Sequence, residues 1–164
     1  MAYSFKRVCA VLLSIALLGL VALSASAASV RTTTVKMNVG VQFWKSDSDK
    51  ESMANSGVDS ARDATLTRQT NGTYTLALPI QQVSKMGIAG ALSGLTIGDV
   101  TYDGELSGEL SEGTAVLTIK NLPASVLTGS DVSKALSVTC NIQMDLSLLG
   151  EINTSARMCI WNKG

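Results

Sequence analysis

The chain alternates apolar and polar residues in several short segments, which is the pattern of strands with one buried face. The first such segment runs from Val35 to Phe43, where every second residue is apolar, and Trp44 ends it. The ten residues that follow, SDSDKESMAN at 46–55, are mostly polar and include no β-branched side chain. They predict a loop that closes into a short helical turn, with Ser48 or Asp49 as its cap.

Similar segments continue to the C-terminus. The predicted strands after the first cover 59–70, 73–80, 95–102, 105–110, 113–122, 136–148 and 151–161. Asn71-Gly72, Asp103-Gly104 and Leu149-Gly150 predict tight turns, and 81–92 predicts a glycine-punctuated loop or a short helix. About eight short strands without alternating helices predict an all-β fold, an immunoglobulin-like antiparallel β-sandwich with a short helical turn after the first strand.

The N-terminus has the organisation of a secretory signal peptide. Lys6 and Arg7 precede an apolar run over 8–23, and Ala25-Ser26-Ala27 forms a small-residue cleavage site. We therefore expect a signal peptide over 1–27 and one domain over 28–164, secreted and associated with the cell surface or free. The alternative is an uncleaved membrane anchor, because the apolar run is close to the shortest length that spans a bilayer.

Charge and composition exclude several classes of function. Removal of Lys6 and Arg7 leaves 11 basic against 13 acidic residues, a net charge of −2, which does not favour nucleic acid as a partner. The chain has no histidine, and therefore lacks the commonest general base and metal ligand, so we expect no enzyme. Asp47, Asp49 and Glu51 are either a solvated loop or, alternatively, a calcium site.

One stretch resembles a known family. The strand that ends in FWKSDSDKESMAN, residues 43–55, resembles the start of a NEAT (near-iron-transporter) domain, a haem-binding β-sandwich of Gram-positive cell surfaces. The resemblance is concentrated in 35–55 and extends loosely to residue 161. It implies the same sandwich fold, with Ser52 and Met53 at the upper edge of a haem pocket, where Ser52 would bond a propionate and Met53 would give apolar contact.

The resemblance departs from the family at the iron ligand. NEAT domains ligate haem iron with the first tyrosine of a Tyr-x-x-x-Tyr pair on the last strand, but 151–161 has no tyrosine and the last one in the chain is Tyr102. Thioether sulfur remains on the last hairpin, at Met144 and Met158. Either could ligate iron, more naturally ferrous iron, or both could simply fill gaps in the core.

Two functions follow from these observations. The first is a secreted or cell-surface module that binds haem or a haemoprotein in iron acquisition. The second is a surface adhesion or interaction module that keeps the sandwich without binding haem. Both functions would use the segment Trp44–Asn55, which the resemblance places against haem, with Trp44 among the haem contacts. In the second case Trp44 and Met53 would be exposed anchors for a cell-wall or surface partner.

The cysteines predict a disulfide. Cys9 leaves with the signal peptide, which leaves Cys140 and Cys159 in an oxidising compartment. A two-residue turn at Leu149-Gly150 would set Cys140 directly opposite Cys159, within bonding reach. The polar pattern favours a register shifted by one residue, which would match Ile142 with Met158 and send the sulfurs to opposite faces.

Overall fold

The computed structural model describes residues 34–85, 87–144 and 150–164. The predicted signal peptide over 1–27 lies outside the described residues. Within them, no helix combines the length and the apolar character needed to span a bilayer.

The described residues form nine strands and three short 3₁₀ turns. The strands are β1 (Val35–Lys45), β2 (Ala64–Arg68), β3 (Tyr74–Pro79), β4 (Val83–Lys85), β5 (Ile88–Ile97), β6 (Val100–Ser107), β7 (Val116–Leu122), β8 (Leu136–Met144) and β9 (Glu151–Asn162). The 3₁₀ turns are Met53–Gly57, Ala124–Val126 and Val132–Lys134.

All paired strands in the described part of the chain run antiparallel. Their order is β4-β5-β6-β7-β3-β2-β1-β9-β8, and an additional pairing of β5 with β8 closes the sheet on itself. Eight strands therefore form a ring, a barrel-like sandwich, and β4 lies beside it, paired with β5. The predicted all-β antiparallel sandwich with a helical turn after its first strand is confirmed.

Alternate residues of the strands meet inside this ring because successive side chains point to opposite faces. Phe43 is the bulkiest of the buried side chains, and its burial stabilises the fold by about 1.5–3 kcal/mol. The largest side chains that are fully buried are Phe43, Leu66, Leu76, Leu78, Ile80, Leu95, Leu117, Ile119, Leu122, Met158, Ile160 and Val39.

The strand β1 changes its partner on one edge halfway along its length. It pairs with β2 only over Val35–Val39, whereas on the other edge it pairs with β9 over Val39–Lys45. Beyond Val39, the first edge is taken by the segment Ser52–Gly57, which we call the lip. Ser52 N donates to Phe43 O at 2.9 Å, and Phe43 N donates to the Asn55 side-chain oxygen at 3.2 Å.

The cap of the lip differs from the sequence prediction. The hydroxyl oxygen of Ser52 accepts a hydrogen bond from Ala54 N at 3.3 Å, so Ser52 caps the turn and the predicted caps, Ser48 and Asp49, do not. The 3₁₀ turn begins later than predicted because the hydrogen bond from Ser52 N to Phe43 O fixes the end of the loop at Ser52.

Two predictions of local structure are wrong. Asp103-Gly104 is not a turn but lies inside β6, and the chain turns earlier, at Gly98, whose φ is +59°. Gly104 is needed for close approach, since a Cβ there would lie 2.4 Å from Leu117 Cδ1. The segment 81–92 contains β4 and the start of β5 instead of a loop or a helix.

The predicted disulfide between Cys140 and Cys159 is also wrong. Both cysteines are free and fully buried. The hairpin pairs Cys140 with Thr154, five residues from Cys159, so the register differs from the one that a two-residue turn would impose. The sulfurs lie on opposite faces of the sheet: Cys140 is part of the core, and the Cys159 thiol faces the carbonyl of Asp131 at 3.7 Å.

We expect both thiols to be inert in the folded protein. Burial raises the pKa of the Cys140 thiol to about 12, so its thiolate does not form near neutral pH. A maleimide should therefore label neither Cys140 nor Cys159 until denaturant is added, and reduction should leave the intact mass unchanged. Mass spectrometry before and after denaturation checks this, and rapid labelling of the native protein would contradict it.

We also expect the contact between β1 and the lip to contribute to stability. Asn55→Ala removes the acceptor of Phe43 N and should lower the free energy of unfolding by about 1–2 kcal/mol. The matched control is Asn38→Ala, at an exposed position on β1, the strand that carries Phe43. Urea unfolding of the two variants measures the difference, and an equal loss in both would show that the Asn55 hydrogen bond does not stabilise the lip.

Candidate functional site

A narrow cleft lies between the lip and the last hairpin. One wall is formed by Met53 of the lip and by β4, and the other by β8 and the start of β9. The residues that line it are Met53, Val83, Ser84, Ile142, Met144 and Ile152. Its volume is about 20 Å³, so the two walls are almost in contact.

A glycine of β5 makes room for the cleft. Gly90 pairs with Val83 on one side and with Met144 on the other, so all three residues face the same way. A Cβ at Gly90 would lie 2.6 Å from Met144 Sδ. The thioether sulfur of Met144 therefore occupies the space that any other residue at position 90 would fill.

The lip is held at both of its ends, which fixes the position of Met53. Its start is bonded to the backbone of Phe43 as described above. At its end, Gln81 N donates to Gly57 O and Gln81 Nε2 donates to Ser56 O, both at 2.9 Å. Between these anchors the Met53 side chain is 45% exposed. It is the exposed large apolar side chain of the lip.

The structure brings together some of the residues expected at the site and separates others. Met53 and Met144 line the same cleft from opposite walls. Ser52 is buried at the start of the lip, where it caps the 3₁₀ turn, and Met158 is fully buried in the core opposite Phe43. Neither of these two lines the cleft.

Trp44 also lies away from the cleft. It pairs with Arg157 of β9, and it follows Phe43, whose side chain is in the core, so Trp44 points to the outer face. Its indole nitrogen is buried without a hydrogen-bond partner among the described residues. Trp44 is partly buried on this face and is not an exposed anchor next to Met53.

The cleft offers few groups that bind a metal or a polar atom. The side chains of Val83, Ile142 and Ile152 are aliphatic, and the remaining heteroatoms belong to Ser84 and the two methionines. The one residue of β9 that lines it is Ile152, which cannot ligate iron. The tyrosines in the described part of the chain lie elsewhere, on β3 and β6.

The sequence did not reveal four of the lining residues: Val83, Ser84, Ile142 and Ile152. Val83 and Ser84 belong to β4, whose three residues are too few to show a period-2 pattern. Ile152 belongs to a strand that was predicted, but its place in the cleft depends on the register with β8, where it pairs with Ile142. No signal in the sequence fixes that register.

Each acidic residue of the loop accepts a hydrogen bond from a neighbouring side chain. Asp49 accepts from Arg157 at 2.7 Å, Glu51 accepts from the Gln42 amide at 3.3 Å, and Asp47 accepts from the Ser48 hydroxyl at 3.2 Å. Among the described residues, no group of three or more His, Cys, Asp or Glu side chains is placed to hold a metal ion.

Comparison with known proteins supports the fold. No protein-family model and no curated protein matches the sequence. Among solved structures, the chain is similar to the NEAT5 domain of IsdX2, a B. anthracis hemophore, in complex with heme, and to a mutant of that domain in complex with heme. Each match has a TM-score of 0.52 and 11% identity over 80% of this chain and 98–99% of the other. The chain therefore has a NEAT-like fold.

Proposed function

We propose that this chain is a binding module that takes haem in the cleft between the lip and the last hairpin. The observation that carries the proposal is the placement of two thioethers, Met53 and Met144, on opposite walls of one apolar cleft. The likeness of the fold to haem-bound NEAT domains supports the same ligand. The lack of histidine and the apolar lining favour binding over catalysis.

The donor set of the cleft fits haem iron through sulfur. Haem, when bound, supplies an iron centre that accepts axial ligands such as His, Cys, Met or Tyr. Met144 would hold the iron from the hairpin, and Met53 would either hold it from the lip or cover the ring. Thioether sulfur is a soft ligand and favours ferrous over ferric iron. Ser84, exposed at the rim, would take the polar role that the sequence assigned to Ser52.

The cleft must open before haem can enter. Its volume of about 20 Å³ is far below the roughly 300–1,000 Å³ of sites for ligands of this size. The wall that can move at low cost is β4, which has three residues and pairs with β5 alone. The opposite wall belongs to the long β8–β9 hairpin, whose paired residues extend from Leu136 to Gln143.

The second candidate function is an interaction module that does not bind haem. The narrow cleft favours it, and so does the exposed side chain of Met53, which an apolar partner surface could cover. In both cases we infer that the protein acts outside the cell, because the N-terminus predicts a signal peptide over 1–27. A haemoprotein or a cell-wall component is the kind of partner that this location provides.

A haemin titration followed at the Soret band tests the proposal. We expect the purified protein to bind haem, and to bind it more tightly after dithionite reduction, because a thioether prefers ferrous iron. Met144→Leu keeps the volume but removes the sulfur, and should weaken ferrous haem binding at least about tenfold, or about 1.4 kcal/mol. Met53→Leu should change the spectrum if both sulfurs ligate.

Met158→Leu is the matched control, since it removes a thioether from the core and leaves the cleft intact. It should bind haem like the unaltered protein. No Soret change in either oxidation state would rule out haem and leave the interaction module. Unaltered binding and spectra in both Met144→Leu and Met53→Leu would show that sulfur is not the ligand.

A further inference from the structure

A second concavity lies on the other side of the lip, away from the cleft. It has a volume of about 450 Å³, within the roughly 300–1,000 Å³ typical of small-ligand sites. It opens where β1 and β2 separate, because their pairing stops at Val39 and Ala64. We call it the β1 groove. The side chains that matter below are Gln42, Glu51, Ser60, Gln81 and Trp161.

The indole of Trp161 forms one wall of the β1 groove and is held flat against the sheet. Trp161 pairs with Gly40, and a Cβ at that glycine would lie 2.2 Å from Trp161 Cζ2. The ring therefore lies directly on the backbone of Gly40, which only glycine permits. Since the ring is partly buried against the backbone, it presents an apolar surface at little conformational cost.

Neutral amides stand around this ring. Gln42 Nε2 donates to Glu51 Oε1 at 3.3 Å, and Gln81 Nε2 donates to Ser56 O at 2.9 Å. Each carboxamide has two N–H donors and an oxygen acceptor, so each keeps hydrogen-bonding capacity after these contacts. The Ser60 hydroxyl, also in the groove, both donates and accepts.

The cations of the groove are already neutralised. Arg62 donates to the Asp59 carboxylate at 2.7 Å, and this hydrogen bond lowers the pKa of the Asp59 carboxyl. Arg62 also donates to the carbonyl of Ala115 at 2.7 Å. Lys163 binds Asp63 at 2.6 Å. Both cationic side chains that line the groove in the described chain are thus paired, so the groove does not favour phosphate, sulfate or carboxylate ligands.

We propose that the β1 groove binds a neutral oligosaccharide. A sugar ring has an apolar C–H face that stacks on an indole, and hydroxyls that both donate and accept. Trp161 supplies the stacking surface, and Gln42, Glu51 and Gln81 supply partners for the hydroxyls. The site lies on the far side of the lip from the proposed haem cleft and does not depend on it.

An extended peptide is the competing occupant, and the sheet edge disfavours it. The odd-numbered residues of β1 direct their backbone groups toward the edge that β2 and the lip share, as the contacts of Phe43 with the lip show. Since β2 pairs up to Val39 and the lip engages Phe43, Val41 is the one residue between them. Strand addition needs several consecutive main-chain hydrogen bonds, and one residue cannot provide them.

Nuclear magnetic resonance of the indole N–H groups tests the proposal. The chain has two tryptophans, Trp44 and Trp161, so two indole signals are expected and Trp44→Phe assigns them. Titration with tetra-N-acetylchitotetraose and with maltotetraose should shift the Trp161 signal with at least one of them, and leave the Trp44 signal in place. Binding should saturate with a dissociation constant of about 1 mM or lower.

Variants locate the site. Trp161→Ala and Gln42→Ala should each weaken binding at least about tenfold, or about 1.4 kcal/mol. Gln143→Ala, at an exposed amide outside the groove, is the control and should bind normally. Thermal unfolding confirms that each variant is folded. Failure of both sugars to shift the Trp161 signal at about 10 mM, or equal affinity in Gln42→Ala and the control, would overturn the proposal.

Discussion

The exchange of partners along one edge of β1 is the constraint on which both sites depend. Up to Val39 this edge is paired with β2, and at Phe43 it is paired with the lip instead. Phe43 is well suited to this position because its side chain is fully buried while its backbone groups reach the lip. Core packing therefore fixes the lip. The cleft lies on one side of the lip, and the β1 groove lies on the other.

The fold of this protein does not determine the chemistry of its cleft. The fold is like that of a haem-bound NEAT domain although only 11% of the residues are identical, so most side chains differ while the fold is kept. The side chains that line the cleft are specific to this sequence: Ile152 is the contribution of β9, and Met53 and Met144 supply sulfur. A fold that supports a binding cleft does not specify which atoms face the ligand.

Much of the fold could be predicted because period-2 alternation is unambiguous over long strands. The first strand, the Asn71-Gly72 turn and the pair of strands at the C-terminus were all predicted, and Gly72 indeed has a φ of +84°. Asp103-Gly104 misled the prediction because glycine serves both turns and close contacts. Here the contact is with Leu117, which is distant in sequence.

The site was less predictable than the fold because register is a property of pairs of strands. Resemblance and thioether sulfur point to Met53, Met144 and Met158 alike, but only the first two line the cleft. Met144 and Met158 are both buried in the core, and Met158 lies opposite Phe43, away from the cleft. The same uncertainty led to the predicted disulfide. An alternation pattern shows which residues share a face of their own strand, and it does not show which residues they meet on the next strand.

The two buried cysteines make the protein a convenient background for site-directed labels. Since Cys140 and Cys159 are enclosed on opposite faces of the sheet, a cysteine introduced on the surface would react in preference to either of them. Met53→Cys would place a fluorophore or a spin label on the lip, next to β4. Movement of β4 relative to the lip would then change the environment of the label, without removal of Cys140 or Cys159.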